Sequence, residues 1–518
     1  MKKNYLYDLV KDAKSNILNH FEVLKNQYPN ILNFNSFNEL LERVKSKELL
    51  DAIKKLISNF SFDENTKNIL LNRLDDTEDR DPIVIGITGT VGKTSIAYLL
   101  SEYFKAYGKK VTLLSSAEID NPILSISKNF PIDVPITSLD FLKYFIKESL
   151  NYNSDIIIIE VSEEALKDGR VDGIPFDIKI LSHFWSTWLF PDTSEENYFQ
   201  NKSKFFEKED DVMYFINNNA KMVRRFIDKV KNYKLFGARV NSQDIKNEDT
   251  NYIEEHLFQS IKNQAYVIKG EKGSYTLKSK NMFGTHHMVN LTCIVGVLEY
   301  LNMLDTDILS QVLCSTKVPG REVITAGDRT FIVTLNYLNE INFIREYLAK
   351  EYFEENALGE SLFNEKFNCE INNIVLLDGI EGFSPNWKTR SGKPLTEELF
   401  RSIKERTKSD YKRWKSLGFD GLSKIYLTPN NPGHADPEEL VEYLRELYEP
   451  SQKPITTISD RRKALQQVVF DSEPGDIIFI SGRGNFQYYE LKDETLFFTD
   501  SAIITDTIKN LPWSKDLA

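Results

Sequence analysis

The segment IVIGITGTVGKTSIAYLL, residues 83–100, constrains the fold more than any other part of the chain. An apolar run that predicts a strand leads into TGTVGKTS, and an amphipathic run that predicts a helix follows. Gly89 and Gly92 let backbone N–H groups face a phosphate, and the N-terminus of the following helix adds a favourable dipole. A tight turn alone would not need the Lys93 and Thr94 pair. We therefore predict a nucleotide site in which Lys93 meets the terminal phosphates and the Thr94 hydroxyl holds Mg²⁺.

Strand and helix patterns alternate from Pro82 onward, which predicts βαβ units and a parallel sheet. Before them, residues 1–80 show helical periodicity without a glycine, and the polar tract LDDTEDRDP separates the two regions. A second change of pattern occurs near VPGREVIT, residues 318–325. The predicted fold class is α/β, with a helical segment at 1–80, a central P-loop ATPase-like parallel-sheet domain at 81–319 and a C-terminal α/β domain at 320–518.

Composition limits the partners and the compartment. The chain has 518 residues with 77 acidic and 65 basic side chains, and this net charge of −12 argues against general nucleic-acid binding. Three cysteines without a CxxC pair exclude a disulfide framework and suit a reducing compartment. No stretch approaches the roughly 18 apolar residues of a membrane span, and the first residues lack the apolar run of a signal peptide. We expect a cytoplasmic protein with neither nucleic-acid nor membrane partners.

Several motifs together resemble the Mur ligase family, the ATP-dependent enzymes that add amino acids to the peptidoglycan stem peptide. TGTVGKTS is similar to the family's nucleotide signature, and further segments follow in the family's order. These are EVSEEALKDGRVDGIPFD at 160–177, NYFQNKSKFF at 197–206, GTHHMVN at 284–290, VPGREV at 318–323, NNPGHADPEEL at 430–440, DRRKAL at 460–465 and SGRGNFQYYE at 481–490. The resemblance implies a central ATP-binding domain and a C-terminal domain that brings the incoming amino acid.

The reaction that this resemblance implies forms ADP. A donor carboxylate takes the γ-phosphoryl group to become an acyl phosphate, and an amine then displaces phosphate to leave an amide. By the same resemblance, Glu160 faces the Mg²⁺ that Thr94 holds, and Lys202 matches the lysine that the family carbamylates to arrange its magnesium site. The alternatives are an exposed strand-end acid for Glu160 and a surface lysine for Lys202. The implied cofactors are ATP and Mg²⁺, and the implied partners are a small carboxylate and an amine or amino acid.

Other predicted site residues carry over from the family by position. On the nucleotide side they are Thr90, Ser95, His286, Asn290, Arg321 and Asn336. The donor contacts are Thr137, Ser138, Ser162 and Arg170, for which helix capping and turn formation are the alternatives. The acceptor contacts are Asn431, Gly482 and Phe486.

The sequence also departs from the family's pattern at informative positions. Trp188 falls where the family has a metal-binding histidine, so a second metal site is in doubt, although His183 stands nearby. Gly433 replaces an arginine of the acceptor motif and Phe486 replaces a glutamate, so diaminopimelate is a poor candidate acceptor. The family's donor-binding domain contains β-structure that residues 1–80 do not predict. We therefore expect a donor other than a UDP-muramoyl peptide.

Two further alternatives remain open at this point. The segment 183–206 is dense in aromatic residues, which predicts ordinary core packing or, alternatively, an apolar substrate pocket. The predicted function is an ADP-forming carboxylate–amine ligase. The alternative is a Mur-like nucleotide-binding protein without ligase activity, which the changes at Trp188, Asn336 and Phe486 favour.

Overall fold

The computed structural model describes twelve parts of the chain. They are residues 82–120, 125–127, 138–185, 194–237, 249–259, 263–282, 286–334, 372–385, 387, 394–416, 421–484 and 486–514. The predicted helical segment at 1–80 lies outside them, as do three positions named above, Thr137, Trp188 and Asn336.

The larger sheet has eleven strands in the described part of the chain, in the order β11-β10-β9-β8-β7-β6-β1-β5-β2-β3-β4. Its strands are β1 Ile83–Thr88, β2 Val111–Leu114, β3 Glu118–Asp120, β4 Ser125–Ser127, β5 Ile156–Glu160, β6 Ile178–Leu181, β7 Met213–Asn217, β8 Tyr233–Gly237, β9 Tyr252–Gln259, β10 Gln264–Lys269 and β11 Ser274–Ser279. The strands from β9 across to β2 pair in parallel, and antiparallel strands extend both edges.

Helices cover this sheet and bury its apolar side chains. They are α1 Lys93–Ala106, α2 Leu139–Asn151, α3 Glu163–Lys167, α4 Glu195–Ser203, α5 Val223–Ile227, α6 His286–Tyr300 and α7 Thr306–Ser315. Successive residues of β1 point to opposite faces, so Val84 joins one core cluster with Phe199 of α4, and Ile85 joins another with Leu99 of α1. Both faces of the parallel region are thus apolar, which explains the nearly continuous hydrophobic runs of its strands.

A second sheet has six strands among the described residues, in the order β12-β13-β17-β14-β15-β16, and all but its β12–β13 pair are parallel. Its strands are β12 Val323–Ala326, β13 Arg329–Thr334, β14 Ile374–Phe383, β15 Lys424–Gly433, β16 Ile455–Thr457 and β17 Ile477–Ser481. The accompanying elements are α8 Glu397–Ser416, α9 Pro437–Tyr448, a 3-10 turn at Glu449–Ser451, α10 Arg461–Phe470, the antiparallel hairpin of β18 Tyr488–Glu490 and β19 Thr495–Phe497, and α11 Asp500–Lys509.

The α/β fold class predicted from the sequence is confirmed by these two largely parallel sheets. The first sheet ends at Ser279 and the second begins at Val323. The boundary predicted at 319/320 falls between them, while the division into domains stays a prediction.

Strand order places a crevice at the centre of the first sheet. The connection that leaves β1 runs toward β2, whereas the connection that leaves β5 runs the opposite way, to β6 beyond β1. Where connections diverge in this manner, a crevice opens at the carboxyl ends of the strands. The loop after β1 and the end of β5 therefore meet there.

None of the helices described here combines the length and the apolar character that a bilayer-spanning segment requires.

Candidate active site

The loop between β1 and α1 has the shape of a phosphate cradle. Gly89 and Gly92 have φ angles of 150° and 86°, a region that side chains rarely adopt. A β-carbon at Gly89 would fall 2.1 Å from Ser182 Oγ, and one at Gly92 would fall 2.7 Å from Asn290 Oδ1. Gly92 is the N-cap of α1, and no side chain caps the amides of the first turn. An anionic ligand can therefore take these amides, as a nucleotide phosphate would.

Glu160 lies beside this loop because β5 pairs with β1 in parallel, with Glu160 opposite Ile87. Its side chain is 4% exposed, so the alternative of an exposed strand-end acid is wrong. Thr94 Oγ1 lies 3.1 Å from each of its carboxylate oxygens, and Lys93 Nζ lies 3.9 Å from Oε1. The three residues predicted to hold phosphate and metal are thus brought together.

Ser116 also belongs to this cluster, although the sequence analysis missed it. Its backbone N–H and its hydroxyl both donate to Glu160 Oε2, at 2.9 and 3.1 Å, and its hydroxyl lies 3.0 Å from that of Thr94. Ser116 follows strand β2, the neighbour of β5, so its position at the carboxyl edge of a parallel sheet was the available signal.

The oxygen atoms of this cluster fit a magnesium ion. The Thr94 hydroxyl and the Glu160 carboxylate converge on one point of the crevice. The described residues contain no group of three or more His, Cys, Asp or Glu side chains that could cage a metal. Magnesium usually keeps several waters and takes one or two protein ligands together with substrate phosphates, so this donor set suits it.

Lys202 is a buried residue of α4 that points at the loop. It is 2% exposed, so the alternative of a surface lysine is wrong. Its Nζ donates to Thr88 Oγ1 at 3.1 Å and to the Gly89 carbonyl at 3.2 Å. One turn earlier, Tyr198 Oη lies 2.9 Å from Thr90 Oγ1. Helix α4 therefore braces the loop at two points, and carbamylation of Lys202 stays a prediction.

The segment after β6 braces the same loop from the other side. The Ser182 hydroxyl donates to the Val91 carbonyl at 2.6 Å, and the Thr90 N–H donates to the His183 carbonyl at 2.8 Å. The backbone N–H of Trp185 donates to Thr90 Oγ1 at 3.2 Å. Burial lowers the pKa of His183 to about 4, so its imidazole is neutral at neutral pH.

Most described aromatic residues of the segment 183–206 belong to the core. Five of them are at most 3% exposed and share one apolar cluster: Phe184, Tyr198, Phe199, Phe205 and Phe206. The packing interpretation is confirmed for these five. Trp185 differs from them, because 61% of its surface is exposed.

The donor-side serines act as helix caps. Ser162 Oγ accepts a hydrogen bond from Ala165 N at 3.1 Å at the start of α3, and Ser138 Oγ accepts one from Phe141 N at 3.1 Å at the start of α2. Arg170 pairs with the Asp168 carboxylate. Capping is therefore one role of both serines, and contact of these residues with a donor stays a prediction.

The remaining nucleotide-side residues are spread over two regions. Asn290 lies against Gly92 from helix α6, and Ser95 is buried in the first turn of α1. His286 begins α6. The guanidinium of Arg321 donates to the Gly320 carbonyl at 2.7 Å, at the turn between the two sheets. The structure thus brings Asn290 to the loop, and it places Arg321 at the turn between the two sheets.

The predicted acceptor residues lie on the second sheet. Asn431 Oδ1 accepts a hydrogen bond from the backbone of Glu490 at 2.6 Å, which ties β15 to β18. A β-carbon at Gly482 would fall 2.2 Å from Asn430 Nδ2, so this position excludes a side chain. Phe486 packs against the apolar cluster of the first sheet. Asn431 thus connects the second sheet to the hairpin, and Phe486 contacts the core of the first sheet. Contact of these residues with a substrate stays a prediction.

Beneath them lies an ion pair that the sequence analysis did not foresee. Arg461 Nη2 contacts Asp500 Oδ2 at 2.5 Å, and both side chains are fully buried. Arg483 Nε lies 3.4 Å from Oδ1 of the same aspartate, and burial lowers the pKa of Arg483 to about 10. Arg461 also donates to Asn430 Oδ1 at 2.8 Å, which connects the pair to the acceptor motif.

Comparison with known proteins agrees with this geometry. Residues 87–298 match the family model of the Mur ligase middle domain. A relative from Caldanaerobacter subterraneus subsp. tengcongensis, UDP-N-acetylmuramoyl-L-alanyl-D-glutamate--2,6-diaminopimelate ligase, is 23% identical over 98% of this chain and 92% of its own length. The predicted resemblance to the Mur ligase family is confirmed.

Solved structures share the fold. A UDP-N-acetylmuramoyl-L-alanyl-D-glutamate--2,6-diaminopimelate ligase superposes with a TM-score of 0.52 at 18% identity, covering 85% of this chain and 80% of its own. A bifunctional folylpolyglutamate synthase/dihydrofolate synthase with Mn, AMPPNP and L-glutamate bound has a TM-score of 0.51 at 14% identity, with coverages of 81% and 90%.

Proposed function

We propose that this chain, whose residues 87–298 match the family model of the Mur ligase middle domain, is an ATP-dependent, ADP-forming ligase that joins a carboxylate donor to an amine or amino acid. The donor carboxylate takes the γ-phosphoryl group of ATP, and the amine attacks the resulting acyl phosphate. The amide forms as phosphate leaves.

One observation supports this proposal most directly. Lys93, Thr94 and Glu160 converge at one end of the loop, and buried Lys202 donates to the loop's first carbonyl. A protein that only binds nucleotide needs the cradle, but it does not need a second lysine buried against it. Lys93 places positive charge where a transferring phosphoryl group accumulates negative charge.

Each residue has a defined task in this proposal. The free amides of α1 and Gly92 bind the phosphates, and Lys93 neutralises charge on the terminal ones. Thr94 and Glu160 would hold the magnesium ion, which supplies charge stabilisation to the phosphoryl group when bound. Lys202 and Tyr198 hold the loop in place. Since α4 and the segment after β6 both contact the loop, its geometry is set before ATP arrives.

The substrates are the finer part of the proposal. We infer a donor other than a UDP-muramoyl peptide and an acceptor other than diaminopimelate. The acceptor argument rests on Gly433 and Phe486, which supply neither the cation nor the carboxylate expected for diaminopimelate. The relatives are named for UDP-muramoyl substrates, so that pair of substrates belongs in the test.

The test is phosphate release from ATP and Mg²⁺ in the presence of pooled carboxylic acids and amines, with mass spectrometry of the products. Stimulated release together with a product equal to donor plus amine minus water supports the ligase. We expect Lys93→Ala to lower stimulated release at least about a hundredfold. Lys109→Ala is the matched control, because Lys109 follows the opposite end of α1.

Two outcomes would contradict the proposal. ATP binding without stimulated release in any pool favours the alternative, a nucleotide-binding protein without ligase activity. Ligation of diaminopimelate to a UDP-muramoyl dipeptide would support the ligase but overturn the inferred substrates.

A further inference from the structure

Two strongly exposed apolar residues lie at or next to the phosphate loop. In the described part of the chain, the three most exposed large hydrophobic side chains are Trp185 at 61%, Phe470 at 60% and Val91 at 56%. Val91 belongs to the loop itself, and Trp185 lies in the segment that braces it. A large apolar side chain that is exposed beside a polar binding site is a candidate for contact with a ligand.

The backbone of Trp185 is anchored to the loop. Its N–H donates to Thr90 Oγ1 at 3.2 Å, and Thr90 Oγ1 lies 3.3 Å from its carbonyl. Two residues earlier, the His183 carbonyl accepts from Thr90 N at 2.8 Å. The indole is therefore held beside the loop by contacts that do not involve the indole itself.

The two residues before Trp185 differ from it in burial. The ring of Phe184 is buried and stacks on Tyr198, with ring centroids 5.1 Å apart. The imidazole of His183 lies 6.1 Å from the indole, and its Nδ1 has no hydrogen-bond partner among the residues described. Phe184 thus occupies the core beneath this segment, while 61% of the surface of Trp185 stays exposed next to the loop.

The charges nearby select the chemistry of an occupant. Lys93 lies at this loop, and its charge disfavours a ligand whose apolar end bears a positive charge. A carboxylate that accepts the γ-phosphoryl group must approach the same loop. If such an acid carries a flat, uncharged ring close to its carboxylate, the ring can cover the indole while the carboxylate faces Lys93.

We propose that Trp185 is a specificity-determining residue that selects a carboxylate donor with an aromatic ring near its carboxyl group. This inference rests on the proposed ligase function for the identity of the bound acid as donor. It concerns which acid binds, and it is tested by binding rather than by turnover.

The experiment compares two acids that differ in one group. Benzoylglycine and acetylglycine have the same carboxylate and amide, and a phenyl ring replaces a methyl group. Each acid is titrated by ligand-observed NMR into the full chain with AMPPNP and Mg²⁺. We expect wild-type protein to bind benzoylglycine about tenfold more tightly than acetylglycine.

Three variants test whether the preference comes from the ring of Trp185 or from the loss of any exposed aromatic ring. Trp185→Ala should reduce the preference to below about twofold, whereas Trp185→Phe should retain most of it. Phe470→Ala is the matched control, because it removes an equally exposed aromatic ring at the end of α10 on the second sheet. Since Trp185 is exposed, its removal should leave the midpoint of urea unfolding close to that of the wild-type protein.

The inference is overturned if wild-type protein shows no preference between the two acids, or if Trp185→Ala keeps the preference. The inference is also overturned if Phe470→Ala loses the preference for benzoylglycine to the same extent as Trp185→Ala. If the preference depends on Trp185 but no donor stimulates phosphate release, the proposed ligase function fails and the aromatic acid site stands. If ligation occurs without a Trp185-dependent preference, the proposed ligase function stands and the aromatic acid site fails.

Discussion

Thr94 and Glu160 are 66 residues apart in the chain, yet Thr94 Oγ1 lies 3.1 Å from both carboxylate oxygens of Glu160. One residue is the second of helix α1, and the other is the last of strand β5. Their meeting places a hydroxyl and a carboxylate beside the phosphate loop, which is the arrangement that a magnesium nucleotide requires.

Glu160→Gln should abolish magnesium-dependent turnover while keeping the fold. The amide has the shape of the carboxylate but lacks its charge, so it binds a hard cation poorly. We expect ATP turnover to fall about a hundredfold and the magnesium concentration for half-maximal activity to rise. Glu299→Gln is the control, since Glu299 is a buried carboxylate that holds a distant turn. An equal fall of ATP turnover in both variants would show that Glu160 affects turnover only through the stability of the fold.

Lys202→Met should loosen the phosphate loop. The change keeps apolar bulk but removes the donor to the Gly89 carbonyl, so we expect weaker ATP binding and a loss of about 1 to 3 kcal/mol in stability. Lys179→Met is the matched control, because Lys179 is also buried but pairs with Glu209. If Lys202 is carbamylated, added bicarbonate should raise wild-type turnover. A lack of any bicarbonate effect would contradict carbamylation.

Ser162→Ala separates capping from donor contact. Ser162 caps α3 and Ser194 caps α4 with the same 3.1 Å hydrogen bond, so each alanine variant should lose about 1 kcal/mol of stability. If Ser162 also contacts the donor, Ser162→Ala alone should raise the donor KM. Denaturant unfolding and steady-state kinetics measure the two effects. An unchanged KM would leave Ser162 as a cap.

Asp500→Asn should be strongly destabilising. The change removes the charge that compensates Arg461, and both groups are fully buried. A buried guanidinium left without its partner costs about 3 to 5 kcal/mol. Asp506→Asn, one turn and a half further along α11, breaks an exposed pair with Lys509 and should cost less than about 1 kcal/mol. Urea unfolding of both variants checks this. Similar losses of unfolding free energy in the two variants would show that burial does not determine how much an ion pair contributes to stability.

His183 should make the folded state less stable in mild acid. Burial lowers its pKa from 6.5 to about 4, so between these values the unfolded chain binds the proton and the folded chain does not. Stability should therefore fall as pH drops from about 6.5 toward 4, by up to about 3 kcal/mol. In His183→Asn this contribution should vanish. Urea unfolding at several pH values tests it, and parallel pH curves for the two proteins would refute it.

Local patterns in the sequence were sufficient to predict the phosphate loop and its flanking elements. The strand, the two glycines and the Lys93–Thr94 pair are contiguous, and their chemistry depends on near neighbours. Alternating apolar strands and amphipathic helices likewise predicted the α/β class, because each pattern reflects the faces that its element must bury.

The long-range contacts could not be predicted in this way. Nothing near Ser116 in the chain shows that it donates to Glu160, since the contact depends on the register of β2 beside β5. Lys202 lies in polar sequence, yet the packing of α4 buries it against the loop.

The sequence by itself therefore determined the chemistry that this protein brings to a phosphate, through a loop whose residues are neighbours in the chain. Only the tertiary structure decided which distant groups complete the site and which aromatic side chains face it. Phe184 and Trp185 are adjacent and chemically alike, but one is fully buried and the other is 61% exposed. The physical reason is that burial depends on the packing of separate elements against one sheet, and that packing is a property of the whole chain.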